Sequence, residues 1–190
     1  ALPLAEEAVR IGDREPGASA ANRAISWSNL ASARYGVGEL EAARDAYRHS
    51  AALLETVRPL PEHDLSINAN NQALLLDRLG RAADALPLAE RSVALRRRVM
   101  GPDTPKLVWP LSHLASLYAR TGRADEARAT ITRAMELAEP AFDPDSDDRA
   151  LLLERAARVA RDLGDRAEAL SRARAALAIR ARAGNADTVL

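Results

Sequence analysis

The sequence predicts an all-α solenoid of antiparallel helix hairpins. Three observations carry that prediction. Gly38, Gly80, Gly122 and Gly164 stand at intervals of 42 residues. Columns of small residues keep the same interval: Ala1, Ala43, Ala85, Ala127 and Ala169, and then Ala31, Ala73, Ala115 and Ala157. The hexamer ALPLAE occurs at Ala1–Glu6 and again at Ala85–Glu90, two periods apart. An internal period of this length is the signature of a repeat architecture.

Each period reads as two helices. Before each Gly lies an apolar stretch at helical spacing, such as Leu107, Leu111, Leu114, Ala115 and Tyr118. The Gly ends that helix, because it enters the left-handed conformation without steric cost. A second helix follows, as in Arg123–Ala138, with acidic residues in its first turns (Asp84, Asp125, Glu126, Glu168). Arginines gather near the ends of others (Arg96–Arg98, Arg180, Arg182), and both placements suit the helix dipole. Then comes a break rich in Pro and Asp, GPDTP at Gly101–Pro105 and DPDSD at Asp143–Asp147. Thr104 and Ser146 are the predicted N-caps after these breaks. Pro87 and Pro110 sit later than a first helical turn favours, which predicts kinks or late helix starts there. A further small column, Ala8, Ser50, Ser92, Ala134 and Ala176, reads as packing: small side chains at a crossing point let helix backbones approach.

In order, the chain is expected to form one array over 1–190. It starts with an unpaired second helix at 1–15, and helix-pair repeats follow at 19–57, 63–99, 104–139 and 146–183. Counting back one period from Gly38 places a Gly before residue 1, so the chain is expected to begin inside a repeat. At the other end Gly184–Leu190 aligns with the stretch that opens a new first helix. A larger parent protein, or self-association through uncapped ends, is the expectation that follows, because arrays need polar caps.

Composition narrows the function. Lys+Arg and Asp+Glu both number 27, so the net charge is zero and bulk attraction to nucleic acid or anionic lipid is not favoured. All basic residues but Lys106 are Arg and alanine is abundant, which reads as a GC-rich bacterial genome. There are no cysteines, which removes disulfides, thiolate metal sites and Cys nucleophiles. Aromatic residues make up only 3%, in keeping with thin layers of closely packed helices. No apolar run approaches the length of a membrane span. A cytoplasmic location, no cofactor and no metal are expected. His49, His63 and His113 lack partners at recurring ligand spacing, and Asp143–Asp148 lacks the Gly and distal Glu of a calcium loop. Nucleotide and hydrolase loops are absent, so no enzyme is expected.

The spacing small–x6–Gly–x4–Ala–x6–small, as in Ala115, Gly122, Ala127 and Ala134, resembles the tetratricopeptide repeat. The eight residues beyond the usual 34 make it similar to the 42-residue repeats of kinesin light chains and of many bacterial signalling proteins. The resemblance implies a right-handed superhelical solenoid and protein or peptide binding, with the first helix of each pair lining a concave face. The column Asn29, Asn71, His113 and Arg155 falls on that helix. Asn both donates to and accepts from a peptide backbone, and Arg grips a carboxylate with two parallel bonds. In related repeats such residues contact the ligand, so the resemblance carries the role to Asn29, Asn71, His113 and Arg155. Ser32, Arg78, Ser116, Arg120 and Arg158 are their expected neighbours. The exposed face is read as Ser28, Asn29 and Ser32, then Asn70, Asn71 and Leu74, then Ser112, His113 and Ser116, then Glu154, Arg155 and Arg158. An acidic or C-terminal ligand group would meet Arg155 and Arg158. A wetted helix face without a ligand stays open as the alternative. So do a peptide-pheromone-type sensor governing an attached effector, and a self-association module.

Overall fold

Four glycines close the turns on which the architecture depends. Gly38, Gly80, Gly122 and Gly164 have φ of 87°, 75°, 81° and 81°. In each case the residue after the glycine donates its N–H to the carbonyl five positions earlier. The pairs are Glu39 to Arg34, Arg81 to Leu76, Arg123 to Tyr118 and Asp165 to Ala160, at 2.8–2.9 Å. This is the Schellman arrangement, which satisfies carbonyls a helix end would otherwise leave open. Gly17 and Gly101, two periods apart, also have positive φ and form a second glycine column at the ends of second helices.

The computed structural model describes residues 1–186. Among them are nine α-helices and no strand: α1 (Leu2–Arg14), α2 (Ala20–Val37), α3 (Leu40–Thr56), α4 (Glu62–Arg78), α5 (Ala82–Met100), α6 (Val108–Arg120), α7 (Ala124–Ala138), α8 (Asp147–Asp162) and α9 (Arg166–Ala186). The further first helix expected at the C-terminal end lies outside the described residues. The chain divides into two compact units, one running to Val99 and one from Met100 onward.

In the first unit α2 and α3 form a hairpin, α1 packs on α2 and α4 packs on α3. Ala31, Ala43, Ala46, Tyr47 and Leu75 make one buried cluster, and Ala24, Leu54, Leu65 and Leu95 another. The serines of the small column do more than leave space. Ser50 Oγ donates to the Ala24 carbonyl and Ser92 Oγ to the Ser66 carbonyl, both at 2.7 Å and both spanning 26 residues. Each bond ties a second helix to the first helix of its own pair. Asn68, a residue the sequence did not single out, is buried and donates to the Tyr47 carbonyl at 3.2 Å. Gln72 in turn donates to Asn68 Oδ1 at 2.6 Å. α5 runs through Pro87 without a break.

In the second unit Thr104 caps a 3-10 turn at Pro105–Leu107, and α6 starts only at Val108, so Pro110 falls in its first turn as a late helix start requires. α6 pairs with α7 and α8 with α9, while α8 also packs on α6. Ser146 caps α8 by accepting from Arg149 N at 3.2 Å. Asp145, in the acidic break, is held by Arg182. Ala115, Ala127, Ala134 and Ala150 have no accessible surface, and Ala150 and Ala176 cluster with Ile179.

A Cβ added at Gly122 would meet no atom within 4 Å, so its cost is conformational alone. Gly122→Ala is expected to lower the unfolding free energy by about 1–2 kcal/mol, measured by urea denaturation, with the helical spectrum of the folded state unchanged.

Candidate functional site

First helices place the predicted residues one turn apart on recurring faces, and the two units treat them differently. In the first unit the face is neutral. Ser32 Oγ shares a hydrogen bond with the Tyr47 hydroxyl at 2.9 Å and lies 3.0 Å from the Ser28 carbonyl. Asn71 also hydrogen-bonds the Tyr47 hydroxyl. Burial raises the Tyr47 pKa above the usual phenol value, and these two bonds oppose the rise. Ser32, Tyr35, Tyr47, Asn71 and Leu74 line a pocket of about 150 Å³. Arg78 lies over the Tyr35 ring at 4.8 Å and reaches the Tyr35 carbonyl at 3.4 Å, so it is committed to its neighbour repeat. Asn29 is exposed and lines a separate pocket of about 220 Å³ between α2 and α4.

In the second unit the corresponding face carries arginines. Arg155 stacks over the Trp109 ring at 5.3 Å, and its Nη1 lies 3.5 Å from Ser112 Oγ. Ser112 Oγ donates to the Trp109 carbonyl at 2.9 Å, and Trp109 stacks on Phe142 with ring centroids 5.7 Å apart. Arg155 Nε is buried without a hydrogen-bond partner. Burial lowers the Arg155 pKa, and Arg158 lowers it further. Glu154, next in sequence, is taken by Arg180 at 3.1 Å. Among the described residues Arg155 is thus a half-buried cation with no carboxylate. Arg158 is exposed beside it, Ser116 is half-buried on α6, and Arg120 is exposed but already engaged.

One expectation needs correction. Ser112 and His113 do not lie on an exposed face: Ser112 is fully buried and His113 is 5% exposed. The Ser112 hydroxyl turns inward to its own helix. Burial, and then the charge of Arg155, push His113 down to about 4, so it is neutral at physiological pH. The Trp109–Arg155 stack is not legible from spacing, because a tryptophan near a helix start reads as a core wedge. Trp27 differs again. It packs against the first cluster and His49, with its indole N–H 3.4 Å from Asp13 Oδ1.

Among the described residues no group of His, Asp and Glu is placed to hold a metal, and no helix is long and apolar enough to cross a membrane. What the geometry offers is hydrogen-bonding and cationic surface on repeated helices. A family model described as "Tetratricopeptide repeat" matches residues 64–130 and 107–182, more than half of the chain. The chain belongs to the tetratricopeptide repeat family. No curated protein matches it. Solved structures share its fold. BtubC (BKLC) from P. vanneervenii is 20% identical with a TM-score of 0.81, covering 96% of this chain and 72% of its own. The nearly identical TPR-like repeats assigned to a Podosopora anserina kinesin light chain are 22% identical with a TM-score of 0.77, covering 96% and 86%. YrrB, a TPR protein with an unusual peptide-binding site, is 18% identical with a TM-score of 0.63, covering 93% and 78%. The fold is therefore an all-α solenoid of tetratricopeptide helix hairpins with kinesin-light-chain-like repeats. Repeats of this family build protein-interaction scaffolds, and the fold is typically non-catalytic.

The depressed His113 pKa makes stability depend on pH. Unfolded chains take up the proton near 6.5, and the folded protein only near 4. Stability attributable to His113 is complete above pH 6.5 and is lost as the pH falls toward 4, with a slope of up to about 1.4 kcal/mol per pH unit. His113→Gln is expected to flatten the urea-midpoint profile in that window relative to wild type. Equal slopes would show that His113 is not buried neutral.

Proposed function

We propose that this tetratricopeptide array binds peptide segments of partner proteins on the faces of its first helices, and that the second unit receives an anionic group. The half-buried, carboxylate-free Arg155 carries the reading. A guanidinium stripped of part of its water and given no counter-ion stands at a cost, and a ligand carboxylate relieves it with charge-assisted bonds. Trp109 holds the guanidinium plane, and Arg158 adds a second charge at the rim. An acidic side chain or a C-terminal carboxylate is the matching chemistry. In the first unit the amides of Asn29 and Asn71, with Ser32, suit an uncharged extended backbone. YrrB, a TPR protein with an unusual peptide-binding site, is a precedent for this reading. A signalling scaffold or sensor in the cytoplasm of a bacterium is the setting we infer.

Self-association is the second reading, favoured by one observation. Leu4 on α1 is 77% exposed and Leu177 on α9 is 69% exposed, whereas Ala46 and Val93, which stand in the same repeat columns on α3 and α5, are buried.

A library of random dodecapeptides displayed with free C termini tests the first reading. Wild type is expected to enrich peptides with acidic or terminal carboxylates. Arg155→Met combined with Arg158→Met is expected to weaken the selected peptides by about tenfold or more while urea stability holds within about 1 kcal/mol. Undiminished affinity in that variant overturns the reading. For the second, sedimentation of wild type against Leu4→Glu with Leu177→Glu is expected to show an assembly that the variant loses. A wild-type monomer at high concentration would exclude it.

A further inference from the structure

The pocket between α2 and α4 is not explained by the packing of the first unit. Ala24, Ser50 and Leu54 form its floor, and all three are buried. Its rim carries two large aliphatic side chains that face water, Ile25 at 50% and Ile67 at 38% exposure, one repeat period apart. Between them stand three oxygen-bearing side chains, Ser28, Asn29 and Asp64. The other polar residues of the lining are already occupied. Ser50 donates to the Ala24 carbonyl, and Asn68 is held by the Tyr47 carbonyl and by Gln72. Asp64 forms no ion pair and no side-chain hydrogen bond among the described residues, although its neighbour Glu62 is paired with Arg98 at 3.0 Å. The pocket thus contains one formal charge, a carboxylate, and no cation lines it.

We propose that this pocket receives a lysine or arginine side chain of the bound partner. Such a side chain has an aliphatic stem and a cationic tip, and it buries the first while keeping the second hydrogen-bonded. The stem lies between Ile25 and Ile67, and the tip meets Asp64, with Asn29 Oδ1 and Ser28 Oγ as further acceptors. A lysine ammonium has three donors for these three acceptors. The size agrees: about 220 Å³ is below the roughly 300 Å³ at which whole small molecules are usually bound, and suits one side chain. The assignment rests on the reading of first-helix faces as ligand surface and adds the chemistry of one partner residue.

Four capped pentapeptides, acetyl-Gly-Gly-X-Gly-Gly-amide with X as Lys, Arg, norleucine or Glu, test it against the full chain. Methyl resonances of Ile25 and Ile67 and amide resonances of Asn29 and Asn71 are followed by NMR. The Lys and Arg peptides are expected to shift both isoleucine methyls saturably, with affinity about fivefold above norleucine at low salt, and to lose that advantage in 0.5 M salt. Asp64→Asn is expected to bring Lys and Arg down to the norleucine level, and Ile67→Ala to weaken all three. Norleucine or Glu binding as tightly as Lys overturns the proposal. So does a pattern in which all peptides shift Asn29 and Asn71 equally and leave the isoleucines unmoved. In that case the surface still binds backbone and only the pocket assignment fails. No shift on α2 or α4 up to about 10 mM peptide removes the surface reading for this unit together with the pocket.

Discussion

Close approach of helix backbones at small-residue crossing points is the constraint on which the structure rests. Ala31, Ala73, Ala115, Ala43, Ala85 and Ala127 have no accessible surface. A larger side chain at any of them would force the helices apart or adopt a strained rotamer. Where the column carries Ser50 and Ser92, the hydroxyl uses the short distance to reach a carbonyl of the paired helix. That gain is available only because the helices are already close. It also explains how a chain with 3% aromatic residues is held together: the layer between helices is too thin to need them. The glycine turns serve the same end, since a Schellman closure reverses the chain within a few residues and sets the second helix beside the first.

The first helix α6 is more buried than its partner: ten of its thirteen residues are buried, against five of the fifteen of α7. The first-helix surface that stays open is filled differently in the two units. Around Tyr47 the first unit builds a neutral network of hydroxyls and an amide. The second unit sets Arg155 on Trp109, with a neutral, buried His113 close by. A protonated His113 would add a further positive charge beside Arg155, which Arg158 already faces, and burial keeps the imidazole neutral.

Much of this architecture is legible in the residues. The glycine columns, the small columns and the caps at Thr104 and Ser146 each act through local geometry, and local geometry is what spacing encodes. Other features were not legible. Arg155 and Trp109 are 46 residues apart, off the repeat interval, and meet only because α8 packs on α6. Ile25 and Ile67 keep the interval, but an isoleucine at helical spacing reads as core, so their exposure hid the pocket they border. Ser112 and His113 carry polar side chains on what periodicity marks as an open face, and the fold buries them. Pro87 lies inside α5, which begins five residues earlier at Ala82, so the late start that its position offers does not occur there.

By itself, then, the sequence determined the repeat, its two-helix unit and the positions where helices touch. These follow from steric rules that act within a turn or across one hairpin: glycine in the left-handed region, alanine at a crossing, an oxygen at a helix start. Only the tertiary structure decided which polar side chains remain available to a ligand. Availability depends on whether each hydroxyl, amide or guanidinium finds a partner on another helix. Ser50, Asn68 and Arg78 find one, while Asp64 finds no ion pair and Arg155 Nε no hydrogen-bond partner among the described residues.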